Sequence, residues 1–110
     1  MTLSAPDDSA ASPVLEAVVL PVKTGEESAF EAAFADVVPI ISRQNGFRGL
    51  SLTRCVERPN EYLLQVRWAH LTDHTVGFRE SDDYQSWRRA LHHFYDPVPS
   101  VDHFTDILRA

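Results

Sequence analysis

The chain has little cysteine, little lysine and no long apolar segment. Cys55 is the only cysteine among 110 residues, which excludes an intrachain disulfide and a thiolate metal cluster. Lys23 is the only lysine, and the net charge is −6, whereas nucleic-acid-binding faces are basic. No apolar run approaches the roughly 20 residues of a membrane-spanning helix. These absences indicate a protein of a reducing cytoplasm, with neither nucleic acid nor membrane as a partner.

The length of the chain allows one folded domain. A second hydrophobic core would need roughly 50 more residues. Residues 1–13 are small, polar and acidic and lack the basic and apolar regions of a signal peptide, so we predict a disordered tail there. The folded domain is predicted over residues 14–110.

Apolar periodicity predicts four strands, over residues 14–23, 47–56, 61–68 and 101–108. A short polar turn, residues 57–60, separates the middle two strands and favours an antiparallel hairpin. In the third strand the alternation places Tyr62, Leu64, Val66 and Trp68 on one face of the sheet.

Two helical regions are predicted between these strands. Thr24 and Glu27 have the spacing of a capping box at the start of the first helix. Pro39 should loosen its last turn, and Asn45-Gly46 should end it. The second region comes in two pieces, each of which begins at a candidate N-cap side chain.

Those N-cap residues of the second region are Thr72 for a short first piece and Ser81 for a longer second piece. The order is therefore β-α-β-β-α-β, which predicts an α+β, ferredoxin-like fold with a four-stranded antiparallel sheet and both helices on one face.

The other sheet face is also apolar, and nothing in a chain of this size is left to cover it. We therefore predict a homodimer that forms through the open sheet face.

Three stretches resemble a known family. They are the hairpin strand that ends in Trp68, the split helix HTVGFRES followed by YQSWRRAL, and the closing segment DPVPSVDHF. Over roughly residues 14–108 they are similar to the antibiotic biosynthesis monooxygenase (ABM) domains of the dimeric α+β barrel superfamily. The resemblance implies a monooxygenase that needs no cofactor and oxidises a small aromatic or polyketide-like substrate with O2. The deprotonated substrate would supply the electrons, in a cavity between sheet and helices.

His74 and Arg79 are the predicted catalytic residues. The spacing of His74 from Leu71 and Phe78 places its imidazole on the inward face, where it can act as a base or donate to a phenolic oxygen. The alternative is a core histidine that bonds a backbone carbonyl. Arg79 either stabilises a substrate oxyanion or pairs with a nearby carboxylate (Glu80, Asp82 or Asp83).

Aromatic side chains are candidates for the wall of a substrate pocket, namely Trp68, Phe78 and Tyr95. Aromatics at helical spacing are more often core residues, and we assign Trp87 and Phe94 to core or dimer packing. For Trp68 the choice lies between a structural anchor and a pocket wall.

The five histidines do not predict a metal site. His70 precedes the predicted helix that carries His74, and adjacent His92 and His93 point about 100° apart. His103 lies beside Asp102, whose side chain faces the other way along a strand. The closely spaced carboxylate or cysteine ligands of a metal site are missing.

Haem degradation is not expected either. The haem-degrading relatives carry a tryptophan and an axial histidine where this chain has Phe78 and, near the axial position, Arg88. Two alternatives to the monooxygenase stay open. One is a non-catalytic dimeric module of the same fold that binds a small molecule or a partner, and the other is an isomerase or decarboxylase on the same scaffold.

Overall fold

Four strands form one antiparallel sheet in the computed structural model, which describes residues 13–110. They are β1 (Val14–Pro21), β2 (Phe47–Arg54), β3 (Glu61–Trp68) and β4 (Val101–Phe104). Their order across the sheet is β2-β3-β1-β4, and each neighbouring pair is antiparallel. The predicted ferredoxin-like fold is confirmed. Apart from its last residue, the predicted N-terminal tail lies outside the described residues.

Burial alternates along the two central strands, as expected for a sheet covered on one face. The predicted inward set of β3, Tyr62, Leu64, Val66 and Trp68, is buried. In β1 the inward residues are Val14, Glu16, Val18 and Leu20. A carboxylate therefore occupies one of the positions that the alternation reserves for apolar side chains.

The first helix, α1 (Glu27–Ser42), differs from its prediction at both ends. The capping box with Thr24 does not form, because the chain makes a turn at Gly25, whose φ is +93°. Glu27 Oε1 accepts instead from the backbone N–H of Gly25 at 2.8 Å. At the other end the helix continues through Pro39 and stops at Ser42, three residues before Asn45.

The second helical region is split as predicted. Its first piece is a short π-helix (Asp73–Phe78), in which the N–H of Arg79 donates to the carbonyl of His74 at 3.0 Å. Thr72 occupies its N-cap position without a side-chain capping bond, which corrects the prediction. The carboxylate of Asp73 instead accepts from the backbone N–H of His70 at 3.1 Å.

The second piece is α2 (Asp82–Leu91), which a 3₁₀ turn (His92–Phe94) extends. Here the predicted cap is confirmed, because Ser81 Oγ accepts from the N–H of Tyr84 at 3.1 Å. Strand β4 ends at Phe104 rather than at residue 108. The reason is that Phe104 pairs with Leu15, which is next to the first residue of β1.

The hydrophobic core lies between the sheet and the helices and includes both Trp87 and Phe94. Arg43 ties α1 to α2 through an ion pair with Asp83 at 2.7 Å. On the opposite face of the sheet, Val19 and Leu63 are directly paired across β1 and β3 and are exposed. In the described part of the chain, no helix has the length and hydropathy to cross a membrane.

Candidate functional site

A partly enclosed cavity of about 90 Å³ lies between the sheet and the helical layer. The sheet contributes Glu16, Val18, Leu20, Leu64 and Val101, and the helical side contributes Ile41, His74, Phe78, Arg79, Tyr84, Trp87 and His92, with Tyr95 and Pro99 completing the wall. A little more than half of this lining is apolar, and the polar groups that reach the cavity decide its chemistry.

Glu16 is the buried carboxylate of this cavity and is only 5% exposed. Trp68 holds it in place, since its indole Nε1–H donates to Glu16 Oε1 at 2.9 Å. Burial raises the pKa of Glu16 from 4.5 to about 7, although the hydrogen bond from Trp68 and the charge of Arg79 act in the opposite direction. Near neutral pH this carboxyl group can therefore both accept and return a proton.

His74 lies beside Glu16 and is 3% exposed. Its ring stacks on Trp68, with centroids 5.4 Å apart and an interplanar angle of 18°. Nε2 lies 3.4 Å from Glu16 Oε1, and Nδ1 lies 2.7 Å from His103 Nε2. The inward orientation agrees with the predicted one, but the ring contacts two titratable side chains instead of a backbone carbonyl.

The imidazole of His74 is held neutral. Burial is the main cause that lowers its pKa from 6.5 to about 3, and electrostatic repulsion from His103 and Arg79 contributes to the same shift. Two neutral imidazoles at 2.7 Å share one proton, so one ring donates and the other accepts according to its tautomer.

His103 supplies the second imidazole from β4. It pairs with Glu16 across the β1–β4 ladder and faces the same side of the sheet. The residue is half-buried, and burial is the main cause that lowers its pKa, with Arg79 adding to the effect and Asp102 opposing it. His103 does not line the cavity. It therefore lies behind His74, between the cavity and the solvent.

The contact between His74 and His103 has the length of a hydrogen bond. Two nitrogen ligands of a tetrahedral zinc ion, each about 2.0–2.1 Å from the metal, lie roughly 3.4 Å apart, whereas these nitrogens are 2.7 Å apart. Within residues 13–110 no group of three or more metal-ligating side chains converges. The arrangement thus suits proton transfer.

Arg79 lines the cavity from its exposed side. Its guanidinium lies over the ring of Tyr84, 5.9 Å from the centroid. The predicted alternative, an ion pair with Glu80, Asp82 or Asp83, does not form in the described part of the chain, and Asp83 binds Arg43 instead. The positive charge of Arg79 is therefore available at the mouth of the cavity.

The predicted wall residues divide into two groups. Phe78 and Tyr95 line the cavity, and burial raises the pKa of Tyr95, so that its phenol stays protonated. Trp68 is almost fully buried and does not line the cavity. Its contacts make it the support on which Glu16 and His74 are positioned.

Neither Glu16 nor His103 was among the predicted site residues. The signal was present in the alternation of β1, where Glu16 falls between inward-facing Val14 and Val18. A charged residue at such a position is rare unless it has a partner or a function. His103 shares the inward face of β4 with Val101 in the same way. Their meeting with His74 depends on the pairing of β1 with β4.

A second, open groove of about 520 Å³ lies between α1 and β2 and shares no lining residue with the cavity. Glu31 at its edge accepts from the phenol of Tyr62 at 2.6 Å and pairs with Arg54. The pKa of Tyr62 rises to about 12, first through burial and then through this bond. Each polar group here is satisfied by another, so we assign the groove no chemistry.

Comparisons of the sequence and of the fold with known proteins point to the same family. The sequence profile of the antibiotic biosynthesis monooxygenase family matches residues 13–90. The uncharacterized protein YczJ of Bacillus subtilis (strain 168) is 49% identical over 94 residues, which are 86% of this chain and 99% of that protein. A Bordetella bronchiseptica structure assigned to the antibiotic biosynthesis monooxygenases is 34% identical with a TM-score of 0.84, over 88% of this chain and 99% of that chain.

A more distant structure shares the fold. SnoaB, a cofactor-independent oxygenase from Streptomyces nogalater, is 22% identical with a TM-score of 0.75, over 90% of this chain and 97% of its own. The profile match covers most of the chain, and the two nearer relatives cover 86% and 88% of it. These findings confirm the resemblance seen in the sequence: the chain belongs to the antibiotic biosynthesis monooxygenase (ABM) family.

Proposed function

We propose that the protein is a cofactor-independent monooxygenase that oxidises a small aromatic or polyketide-like substrate with O2 in the cavity beside Glu16. The observation that carries the proposal is the buried carboxyl–imidazole pair, in which Glu16 lies 3.4 Å from His74 against apolar walls. Such a reaction requires a base in a dry site, because the deprotonated substrate must meet O2 before it meets water.

In the proposed reaction a CH2 group activated by neighbouring aromatic rings becomes a carbonyl group. Glu16 accepts the first C–H proton, and the carbanion passes one electron to O2. The resulting radical and superoxide combine to form a C–O bond, and the peroxide is protonated. Loss of the second C–H proton then breaks the O–O bond and releases water. The balance is CH2 + O2 → C=O + H2O, with all four electrons supplied by the substrate.

Arg79 and Tyr95 support this reaction from the cavity wall. The guanidinium of Arg79 offers a positive charge to the enolate or phenolate oxygen that forms on deprotonation. Tyr95, whose raised pKa keeps its phenol protonated, is a candidate donor to the same oxygen. Phe78 would pack against the aromatic part of the substrate.

The size of the cavity sets a condition on the substrate. An apolar cavity of about 150 Å³ holds a benzene ring, and this one measures about 90 Å³. On the helical side, exposed Arg79 and partly exposed Tyr84 and His92 mark the mouth. We infer that the reacting edge of the substrate enters the cavity, that the rest lies at this mouth, and that Arg79 and Tyr84 move apart on binding.

Oxygen uptake with a panel of anthrones and hydroquinones tests the proposal. For the anthrones, which carry the activated CH2 group, we expect one O2 consumed per substrate and, with ¹⁸O2, one labelled atom in the product and one in water. Glu16→Gln keeps the shape of the side chain and should lower kcat by about 100-fold or more. His93→Ala, at an exposed histidine outside the cavity, is the matched control. Equal rates in wild type and Glu16→Gln would remove Glu16 from the mechanism.

One observation also favours an isomerase as a second candidate. A carboxyl group with a pKa near 7 can take a proton from one carbon and return it to another without O2. Exchange of substrate C–H for deuterium under anaerobic conditions, followed by a shifted double bond, would identify this reaction. If the panel shows neither oxygen uptake nor exchange but does bind, the non-catalytic binding module is the better description.

Two further proposals concern the oligomeric state of the protein and its location in the cell. We propose that a second copy covers the open sheet face, because Val19 and Leu63 leave an apolar patch there that no part of the described chain covers. The location that we propose is the cytoplasm, on the basis of the single, unpaired Cys55.

A further inference from the structure

The polar side chains around the cavity form a line rather than a cluster. From the cavity outward the order is the carboxyl of Glu16, the ring of His74 and the ring of His103, joined by contacts of 3.4 Å and 2.7 Å. The first two line the cavity, and the third is half-buried on the solvent side. Each member is attached to a different element, namely β1, the short helix and β4.

We propose that His103 is the outlet of a proton relay that runs from Glu16 through His74, and that it acts as a positioning residue for the base. The inference rests on the proposed function only for its activity readout. Its physical content is a coupling between the protonation of Glu16 and the tautomers of the two rings, which can be observed without any substrate.

The hydrogen-bond rules fix the two states of the relay. When Glu16 is ionised, His74 Nε2–H points at the carboxylate, and His74 Nδ1 accepts from His103 Nε2–H. When Glu16 holds a proton, its O–H donates to His74 Nε2, and His74 carries its own proton on Nδ1 and donates to His103 Nε2. Passing the proton on converts this second state into the first: the carboxyl proton moves to His74 Nε2, the Nδ1 proton moves to His103 Nε2, and His103 releases a proton from its Nδ1. The ring of His74 is never doubly protonated, which agrees with its strongly lowered pKa.

Groups from every neighbouring element shape this transfer. Trp68 from β3 donates to Glu16 and holds it fixed. The positive charge of Arg79 lowers the pKa of both imidazoles and opposes storage of a proton on either ring, whereas Asp102 beside His103 favours a proton at the outer end. Protons therefore pass through the rings and leave at the half-exposed side of β4.

The relay would serve the oxidation by keeping the proton away from the carbanion. If the proton stayed on Glu16, it would return to the substrate in competition with the transfer of an electron to O2. Transfer beyond His74 places a whole imidazole ring between proton and carbanion. The same path can later return a proton to the peroxide. The long 3.4 Å contact is expected to tighten on binding, as catalytic hydrogen bonds do.

The first test is a ¹⁵N NMR titration of the histidine side chains from pH 5 to pH 9. In the wild type we expect His74 to change from the Nδ1–H to the Nε2–H tautomer as Glu16 ionises, with a midpoint near pH 7. Glu16→Gln, whose amide oxygen replaces Oε1 as the acceptor from Trp68 and faces Nε2, should hold His74 in the Nε2–H form throughout. A single His74 tautomer across the range in the wild type would overturn the relay.

The second test uses turnover. His103→Asn should lower kcat about tenfold or more and leave KM unchanged, because residue 103 does not line the cavity. External imidazole should restore the rate, and His93→Asn should behave as wild type. Oxygen uptake by the wild type with an unchanged kcat in His103→Asn, or without rescue, overturns the relay and leaves the proposed function standing. Failure of oxygen uptake in the wild type overturns the proposed function, and the NMR titration then decides the relay alone.

Discussion

Glu16 and His103 are direct partners across the β1–β4 ladder, yet the contact between their titratable groups runs through His74. Their pairing places both side chains on the inward face of the sheet. The short helix packs over this face and brings His74 into contact with both of them. His74, which comes from a helix, thus connects the two proton-binding side chains that the sheet supplies.

The first prediction concerns the dependence of stability on pH. The pKa of Glu16 is about 7 in the fold and near 4.5 when unfolded. The stabilisation from its protonated form is therefore complete below pH 4.5 and is lost as the pH rises through 7. Relative to wild type, Glu16→Gln should gain about 1.4 kcal/mol of unfolding free energy per pH unit over this window, or about 3 kcal/mol in all.

Urea unfolding at several pH values between 4 and 8 measures this difference. His74 contributes the opposite slope, since its pKa of about 3 in the fold lies below the unfolded 6.5 and its stabilisation is lost as the pH falls. In the wild type the two slopes oppose each other between about pH 4.5 and 6.5. A difference between variant and wild type that does not change with pH would contradict the buried, protonated carboxyl.

The second prediction concerns the support given by Trp68. Its indole N–H donates to Glu16 and lowers the pKa of the carboxyl group. Trp68→Phe should therefore raise that pKa further, by roughly one pH unit. A ¹³C titration of the labelled carboxyl carbon measures it. Trp87→Phe, at a tryptophan that lines the cavity without bonding Glu16, is the control, and equal changes in the two variants would rule out the hydrogen bond as the cause.

The third prediction concerns the cap that separates the two pieces of the second helical region. Ser81 Oγ accepts from the N–H of Tyr84 at the first turn of α2. Ser81→Ala should lower the unfolding free energy by about 1 kcal/mol. Ser86→Ala, at an exposed site inside the same helix, should be neutral or slightly stabilising. Thermal unfolding compares the two, and an equal response would show that the cap contributes nothing.

The fourth prediction concerns the open sheet face. Val19 and Leu63 face each other there and are 54% and 37% exposed. We expect a dimer in sedimentation equilibrium for the wild type and a folded monomer for Val19→Glu with Leu63→Glu, because paired carboxylates would be buried at the interface. Val76→Glu, at a residue 49% exposed on the short helix, should remain dimeric. A monomeric wild type would contradict the proposed pairing.

Periodicity in the sequence was sufficient for the order of elements, the inward face of β3, the split of the second helical region and the cap at Ser81. These features depend on neighbours within a few residues, so local chemistry decides them. The helix ends were less well predicted. The cap at Thr24 failed because the positive φ of Gly25 inserts a turn, and α1 passes Pro39 because tertiary packing outweighs a local preference.

The sequence by itself determined the fold, the family and the inward orientation of His74. Only the tertiary structure decided what His74 meets. Glu16, Trp68 and His103 come from three different strands, and the register of those strands brings them to one end of the cavity. The raised pKa of Glu16 and the lowered pKa of His74 both arise from burial. Burial results from the packing of the whole chain, so it cannot be derived from the sequence around a single residue.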